Sequence, residues 1–121
     1  MIYGLSGQIR YYLYASDTDM RKGFNALGGI IRNELLQDPL CGDAFIFINR
    51  RRNLLKLLVW DQTGFVIYYK RLESGTFELP VRKNDHKSVV IRREELVMIL
   101  EGISLEKTKR KRRYFYTNFV E

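Results

Sequence analysis

Three consecutive arginines, Arg50, Arg51 and Arg52, stand between Asn49 and Asn53 with no acid among them. Like charges this close repel one another unless an anion is near, and guanidinium groups grip phosphate oxygens bidentately, so the run is a candidate phosphate clamp. The plain alternative is a turn whose charge serves solubility. A second candidate is Asp19-Met20-Arg21-Lys22-Gly23-Phe24. With Asp19 as a helix cap, Arg21 and Lys22 fall in the first turn, where free N–H groups and the helix dipole favour an anion. Cations there oppose the dipole by about 0.3 to 1 kcal/mol each, a cost that an arriving phosphate reverses. In the plain reading Asp19 caps, Met20 and Phe24 pack, and the two basic side chains are solvated.

Lys56, Lys70 and Arg71 extend the basic patch if they share a sheet face. Tyr12, Tyr14, Tyr68 and Tyr69 would then offer aromatic surface between charges, as in proteins that bind single strands or RNA, although aromatics on strands more often pack than stack. Near the end of the chain, Lys107, Lys109, Arg110, Lys111, Arg112 and Arg113 put six basic residues into seven positions. Clustered charge of this kind releases counterions from a polyanion. Tyr114, Phe115, Tyr116 and Phe119 beside it argue against a purely disordered end.

Catalysis finds less support. Metal-dependent phosphoryl transfer needs two or three carboxylates around a divalent ion. Asp17, Asp19, Asp61, Glu73 and Asp85 have no motif spacing, and Asp61 and Asp17 sit where turns and helix starts ordinarily place an acid. Ser6, Cys41 and His86 form no recognisable nucleophile and base constellation. The lone Cys41 and lone His86 exclude an intramolecular disulfide and multi-cysteine or histidine-rich metal sites. We therefore expect no catalytic residue, no metal and no cofactor.

The elements that must position these residues follow from periodicity. Ile9, Tyr11, Leu13 and Ala15 alternate with Arg10, Tyr12 and Tyr14, which predicts a first strand. Met20, Phe24, Leu27, Ile31 and Leu35 then share one helical face, predicting a long helix over 19–36 with Phe24 and Leu27 in the core. Gly23, Gly28 and Gly29 weaken that helix by about 1 kcal/mol each relative to Ala, so it needs a sheet beneath it. After Asp38-Pro39 and Gly42, strands are predicted over 44–49, 54–60, 65–72 and 76–79, joined by tight turns into a meander, with the arginine run at the first hairpin tip. A short edge strand over 89–91 and a second helix opening on Glu94 and Glu95 and ending at Gly102 complete the pattern.

The 121 residues, 45% hydrophobic, suit one packed domain. The formal charge is +7, of which residues 106–121 carry +4, so a polyanion is the first partner to consider. No apolar run approaches the roughly 20 residues of a membrane span, and the N-terminus lacks the order of a secretory signal, so a cytoplasmic protein without a membrane partner is expected.

One family shares the order of these motifs. Thr18-Asp19-Met20-Arg21-Lys22-Gly23-Phe24 with Leu27, Asp38-Pro39, Gly42, Phe47-Ile48-Asn49-Arg50-Arg51-Arg52, Leu55-Lys56-Leu57-Leu58-Val59-Trp60-Asp61, Gly64-Phe65, Tyr69-Lys70-Arg71-Leu72-Glu73 and Gly75-Thr76-Phe77 span roughly residues 9 to 80. In these the chain resembles the small accessory protein, usually called TnpB, from the second reading frame of the insertion sequence 66 family of bacterial transposable elements. The family commonly has an aromatic where this chain has Leu79 before Pro80, and the tail after Leu105 has no counterpart in the pattern. The resemblance implies a role in transposition beside a separate, larger transposase that carries the strand-transfer chemistry.

The sequence thus predicts an α+β domain over 1–105, an antiparallel sheet with one long helix on a face and a short C-terminal helix, followed by a basic aromatic tail over 106–121. Its expected function is a non-catalytic transposition accessory that binds duplex DNA through Arg21, Lys22, Arg50, Arg51, Arg52, Lys56, Lys70, Arg71, Lys109, Arg110, Lys111, Arg112 and Arg113 and works with the transposase. The alternatives are an adaptor contacting an acidic transposase surface without touching DNA, and a divalent-metal nuclease.

Overall fold

The computed structural model describes residues 8–80 and 86–101. Its elements run β1 (Tyr11–Tyr14), α1 (Phe24–Asn33), β2 (Ala44–Ile48), β3 (Leu54–Trp60), β4 (Phe65–Arg71), β5 (Ser88–Ile91) and α2 (Arg93–Glu101). One five-stranded sheet has the order β4-β3-β2-β1-β5. The expected meander is present as β2-β3-β4, with Ala44 opposite Val59 in one antiparallel hairpin and Trp60 opposite Phe65 in the next. β5 pairs antiparallel with the far side of β1.

The sheet is nevertheless mixed, where an antiparallel one was expected. β1 and β2 are parallel neighbours, with Tyr11 opposite Ala44 and Leu13 opposite Ile46. Parallel neighbours need a crossover of a dozen residues or more, and residues 15–43, carrying α1, supply it.

The helix is also shorter than the apolar spacing suggested. It has 10 residues and starts after Gly23, whose position has no side-chain cap. Asp19 does not serve as that cap, because its carboxylate accepts from the Arg21 N–H instead and closes a local turn upstream. Arg21 and Lys22 therefore precede the helix rather than occupying its first turn. Phe24 is 48% exposed and only flanks the core, its ring 6.5 Å from that of Phe65, whereas Leu27 is fully buried as expected.

Both sheet faces are covered. Leu27 and Ile31 of α1 pack on Tyr12, Phe45, Phe47 and Leu58. On the other face Leu96 and Ile99 of α2, with Phe77, close over Leu13, Ile46, Leu57 and Ile91. This two-sided burial explains why β2, AFIFI, is apolar at every position. The predicted strand over 76–79 is not formed: Phe77 is buried and its N–H goes to the carbonyl of Arg52 rather than to a strand ladder. The basic tail, with Lys109, Arg110, Lys111, Arg112 and Arg113, and the acid Asp85 lie outside the described residues. No helix among the described residues is long and apolar enough to cross a membrane.

Candidate nucleic-acid interface

Parallel pairing has a direct consequence for the basic residues. Because β1 and β2 run the same way, the chain leaves both from the same end of the sheet, into residues 15–23 after β1 and residues 49–53 after β2. Antiparallel neighbours would send these loops to opposite ends. The Thr18 N–H donates to the carbonyl of Ile48 at 3.0 Å, tying the first loop to the root of the second. Together they form an open groove of about 720 Å³ whose lining includes Thr18, Asp19, Arg21, Arg50, Arg51 and Tyr69. The carboxyl ends of parallel strands are where open α/β sheets ordinarily bind ligands.

The arginine tip is held by its flanking asparagines. Asn49 Oδ1 accepts from the N–H groups of Asn53 and Leu54 at 3.0 and 2.9 Å, and Asn49 Nδ2 donates to Asn53 Oδ1 at 2.8 Å. Arg52 closes the turn by donating its N–H to the Asn49 carbonyl, with a φ of 59° in the left-handed region that costs a non-glycine residue about 1 kcal/mol or more. All three arginines are exposed, and their side chains make no ion pair or hydrogen bond among the described residues. Charge is thus presented on an ordered backbone without internal neutralisation. Arg50 and Arg51 line the groove, whereas Arg52 lines a separate depression beside Leu79 and Pro80.

Arg21 is arranged differently. Its Nε and one Nη donate to the Asp19 carboxylate, with the closest approach at 2.6 Å. The guanidinium hydrogen bonds hold the Asp19 carboxyl well below the usual carboxylate range, and Asp19 in turn raises the Arg21 pKa. A guanidinium has five N–H donors, so this pairing leaves a free edge. Asp17 adds a carboxylate to the lining, so the groove is basic but moderately so.

The remaining predicted residues do not join one surface. Lys56 and Lys70 sit on opposite faces of the sheet, opposite Phe47 and Leu55 respectively. Lys56 is 8% exposed, and its ammonium donates at 2.8 Å to the carbonyls of both Met20 and Lys22 while lying 4.7 Å over the Tyr69 ring. It braces the loop that carries Arg21 and Lys22 from beneath. Lys70 donates to the Leu100 carbonyl near the end of α2, where a cation complements the helix dipole. Arg71 is paired with Glu73. Lys22 is exposed beside Arg21.

Of the four tyrosines, Tyr12 is buried against Phe45 and Tyr14 is tilted on Phe47. Tyr69, 54% exposed, is the one of the four that lines the groove. Thr18 joins the site through the fold alone, since nothing in its sequence context marks it as a binding residue. It is 3% exposed and its hydroxyl is the buried side-chain atom without a hydrogen-bond partner among the described residues. Among the candidate acids, Asp61 Oδ1 accepts from Thr63 and Gly64 in a turn and Glu73 holds Arg71, and no group of three or more metal-binding side chains occurs among the described residues.

The family model described as IS66 Orf2 like protein matches residues 9–110, which takes in the groove, both loops and both helices. The chain belongs to the IS66 Orf2-like family. It is also similar to two uncharacterized proteins of Sinorhizobium fredii (strain NBRC 101917 / NGR234). With y4jC it is 33% identical over 108 residues, covering 89% of this chain and 91% of the relative. With y4hO it is 34% identical over 99 residues, covering 81% of this chain and 84% of the relative. No solved structure matches. Membership of the IS66 Orf2-like family associates the protein with transposition of insertion sequences, in an accessory role.

Proposed function

We propose that this IS66 Orf2-like protein is a non-catalytic DNA-binding accessory that holds duplex DNA by its phosphates while a separate transposase performs strand transfer. The supporting observation is the convergence at one end of the sheet of the arginine tip, 49–53, and the loop 15–23 that carries Arg21 and Lys22, with the tip arginines exposed and unneutralised. The backbone contacts of such a surface position DNA without reading its sequence. Arg50, Arg51 and Arg52 make the main phosphate contacts, with Arg21 and Lys22 beside them and the basic tail adding non-specific attraction. Lys56 acts indirectly, by holding the Arg21 loop. Lys70 and Arg71, already engaged with Leu100 and Glu73, contribute least.

A transposase contact has a separate place available. Leu36 and Leu40, 81% and 51% exposed, lie on the connection from α1 to β2, which leads to the start of β2 rather than its carboxyl end. Two surfaces at different ends let the protein bridge DNA and enzyme. A mobility-shift titration with element-end duplex, with and without the transposase, tests the proposal. Salt-sensitive duplex binding that persists without the enzyme is expected. Binding seen only through the transposase would favour the adaptor reading, and magnesium-dependent nicking of supercoiled plasmid would replace both with a nuclease.

A further inference from the structure

The groove differs from a plain phosphate patch in having an aromatic wall and an unpartnered buried hydroxyl. Tyr69 lies half-exposed on β4, directly opposite Lys56 in the β3–β4 ladder, and the Lys56 ammonium sits over its ring. The ring is therefore backed by a cation that is itself fixed by the Met20 and Lys22 carbonyls. The same groove is lined by Arg21, Arg50 and Arg51, with Thr18 at its base almost fully buried. An ordered aromatic beside guanidinium groups is the pairing that unpaired nucleotides seek, because a base stacks on the ring while its phosphate meets the cations. A base inside a duplex has both faces already stacked and cannot use Tyr69.

Size and charge agree. The open groove, of about 720 Å³, has room for a nucleotide. Among the charged lining residues, Arg21, Arg50 and Arg51 face Asp17 and Asp19, a net charge of +1 that matches one phosphodiester better than a doubly charged terminal phosphate. The Thr18 hydroxyl is buried without a partner, which is costly unless a ligand supplies one.

We infer that the groove between residues 17–21 and 49–51 captures an unpaired nucleotide of a DNA strand, its base stacked on Tyr69 and its phosphodiester held by Arg50, Arg51 and the free edge of Arg21. In the complex, rotation of Thr18 about χ1 turns its hydroxyl to a phosphate oxygen. The inference rests on the DNA-binding reading and sharpens it: Arg50 and Arg51 meet duplex phosphates on blunt DNA and the phosphodiester of the unpaired nucleotide where a strand is unstacked, so the groove favours duplexes that offer such a strand, as a cleaved or melted element end would.

The test compares three labelled DNAs by fluorescence anisotropy with the full chain at fixed salt. One is a blunt 15-base-pair duplex, the second the same duplex with a three-thymidine overhang, and the third carries an overhang of the same length whose sugars are abasic, with each overhang prepared in 5′ and 3′ polarity. Since stacking of a base on an aromatic side chain corresponds to about a 5- to 150-fold change in affinity, the thymidine overhang should bind at least about fivefold tighter than the blunt or abasic forms in one polarity. Tyr69→Leu should erase that preference, while Tyr69→Phe, which keeps the ring, should retain it. Arg50→Ala with Arg51→Ala, made at the exposed tip, should weaken all three DNAs. Equal affinity for the three DNAs in the parent overturns the inference and leaves duplex binding intact. A preference for the overhang that survives in folded Tyr69→Leu also overturns it. If none of the three binds, the DNA-binding reading itself fails and the inference with it.

Discussion

Replacing Thr18 by Val should make the protein more stable and its grip on DNA with an unpaired overhang weaker. Thr18 is 3% exposed, and its hydroxyl has no hydrogen-bond partner among the described residues. Valine has the same branched shape, so the substitution leaves the packing and the bond from the residue 18 N–H to Ile48 untouched. A buried polar group without a partner costs about 1 to 3 kcal/mol, and exchanging it for a methyl relieves that cost. The expected gain is about 1 to 2 kcal/mol, or on the order of 5 °C in thermal midpoint for a domain of this size. Because point mutations more often destabilise by about 1 kcal/mol, a gain is diagnostic. Circular dichroism melts of the two proteins at equal concentration measure it, and overhang affinity should fall about fivefold from loss of one hydrogen bond to phosphate. A Thr18→Val protein that melts several degrees below the parent would refute the reasoning, since the hydroxyl would then be bonded in the folded protein.

Other substitutions separate structure from function. Leu27→Ala, at a fully buried position, should cost about 2 to 5 kcal/mol in denaturant unfolding, whereas Phe24→Ala, half-exposed, should cost about 1 to 2 kcal/mol. The opposite order would contradict the observed start of α1. Lys56→Met should lose about 2 to 3 kcal/mol by releasing the Met20 and Lys22 carbonyls, and an unchanged melt would show that these bonds do not brace the loop. Burial pushes the Cys41 thiol above its ordinary range, reinforced by the Asp43 and Asp38 carboxylates, although the Asp43 N–H partly offsets this. The thiolate is the reactive form, so iodoacetamide should alkylate Cys41 more slowly than free cysteine at pH 8, with the rate still rising above pH 9, and Asp43→Asn should shift the profile to lower pH. Alkylation as fast as free cysteine at pH 8 would contradict this.

The sequence carries the local elements well because each leaves a periodic or turn-forming signature. Alternation marks β1, the AFIFI and LLKLLVW runs mark the central hairpin, and Asp61-Gln62-Thr63-Gly64 marks the next turn. What it carries poorly is anything decided by a distant partner. The direction of β1 relative to β2 is absent from either strand's pattern, although a strand, a helix and a strand in succession is the arrangement that permits a parallel crossover. Asp19 reads as a helix cap because an acid before an apolar-periodic run usually is one, but Arg21 two residues on competes for its carboxylate and Gly23 takes the cap position. Phe77 has the alternation of a strand, yet the Arg52 carbonyl takes its N–H.

The candidate site shows the same division. The arginine tip is legible as charge without a counter-charge. Its asparagine clamp is less so, although Asn on both sides of a hairpin tip is a known turn device. Lys56 reads as one more basic residue until the fold brings the Met20 and Lys22 carbonyls above it, 36 and 34 residues away in the chain. Thr18 and the arginine tip come together only because the parallel pair sends both loops off one end of the sheet, and Tyr69 joins them from β4 through the β3–β4 ladder.

The central claim is that the tip arginines at the carboxyl end of β2 hold DNA by its phosphates. Its most direct test is the salt dependence of duplex affinity for the parent and for the Arg50→Ala, Arg51→Ala, Arg52→Ala protein, with folding verified by circular dichroism. Every phosphate that is no longer neutralised should reduce the slope of log affinity against log salt by about 0.9, so the triple variant should bind more weakly and with a slope shallower by about 2 to 3. A folded triple variant with the affinity and slope of the parent would contradict the account.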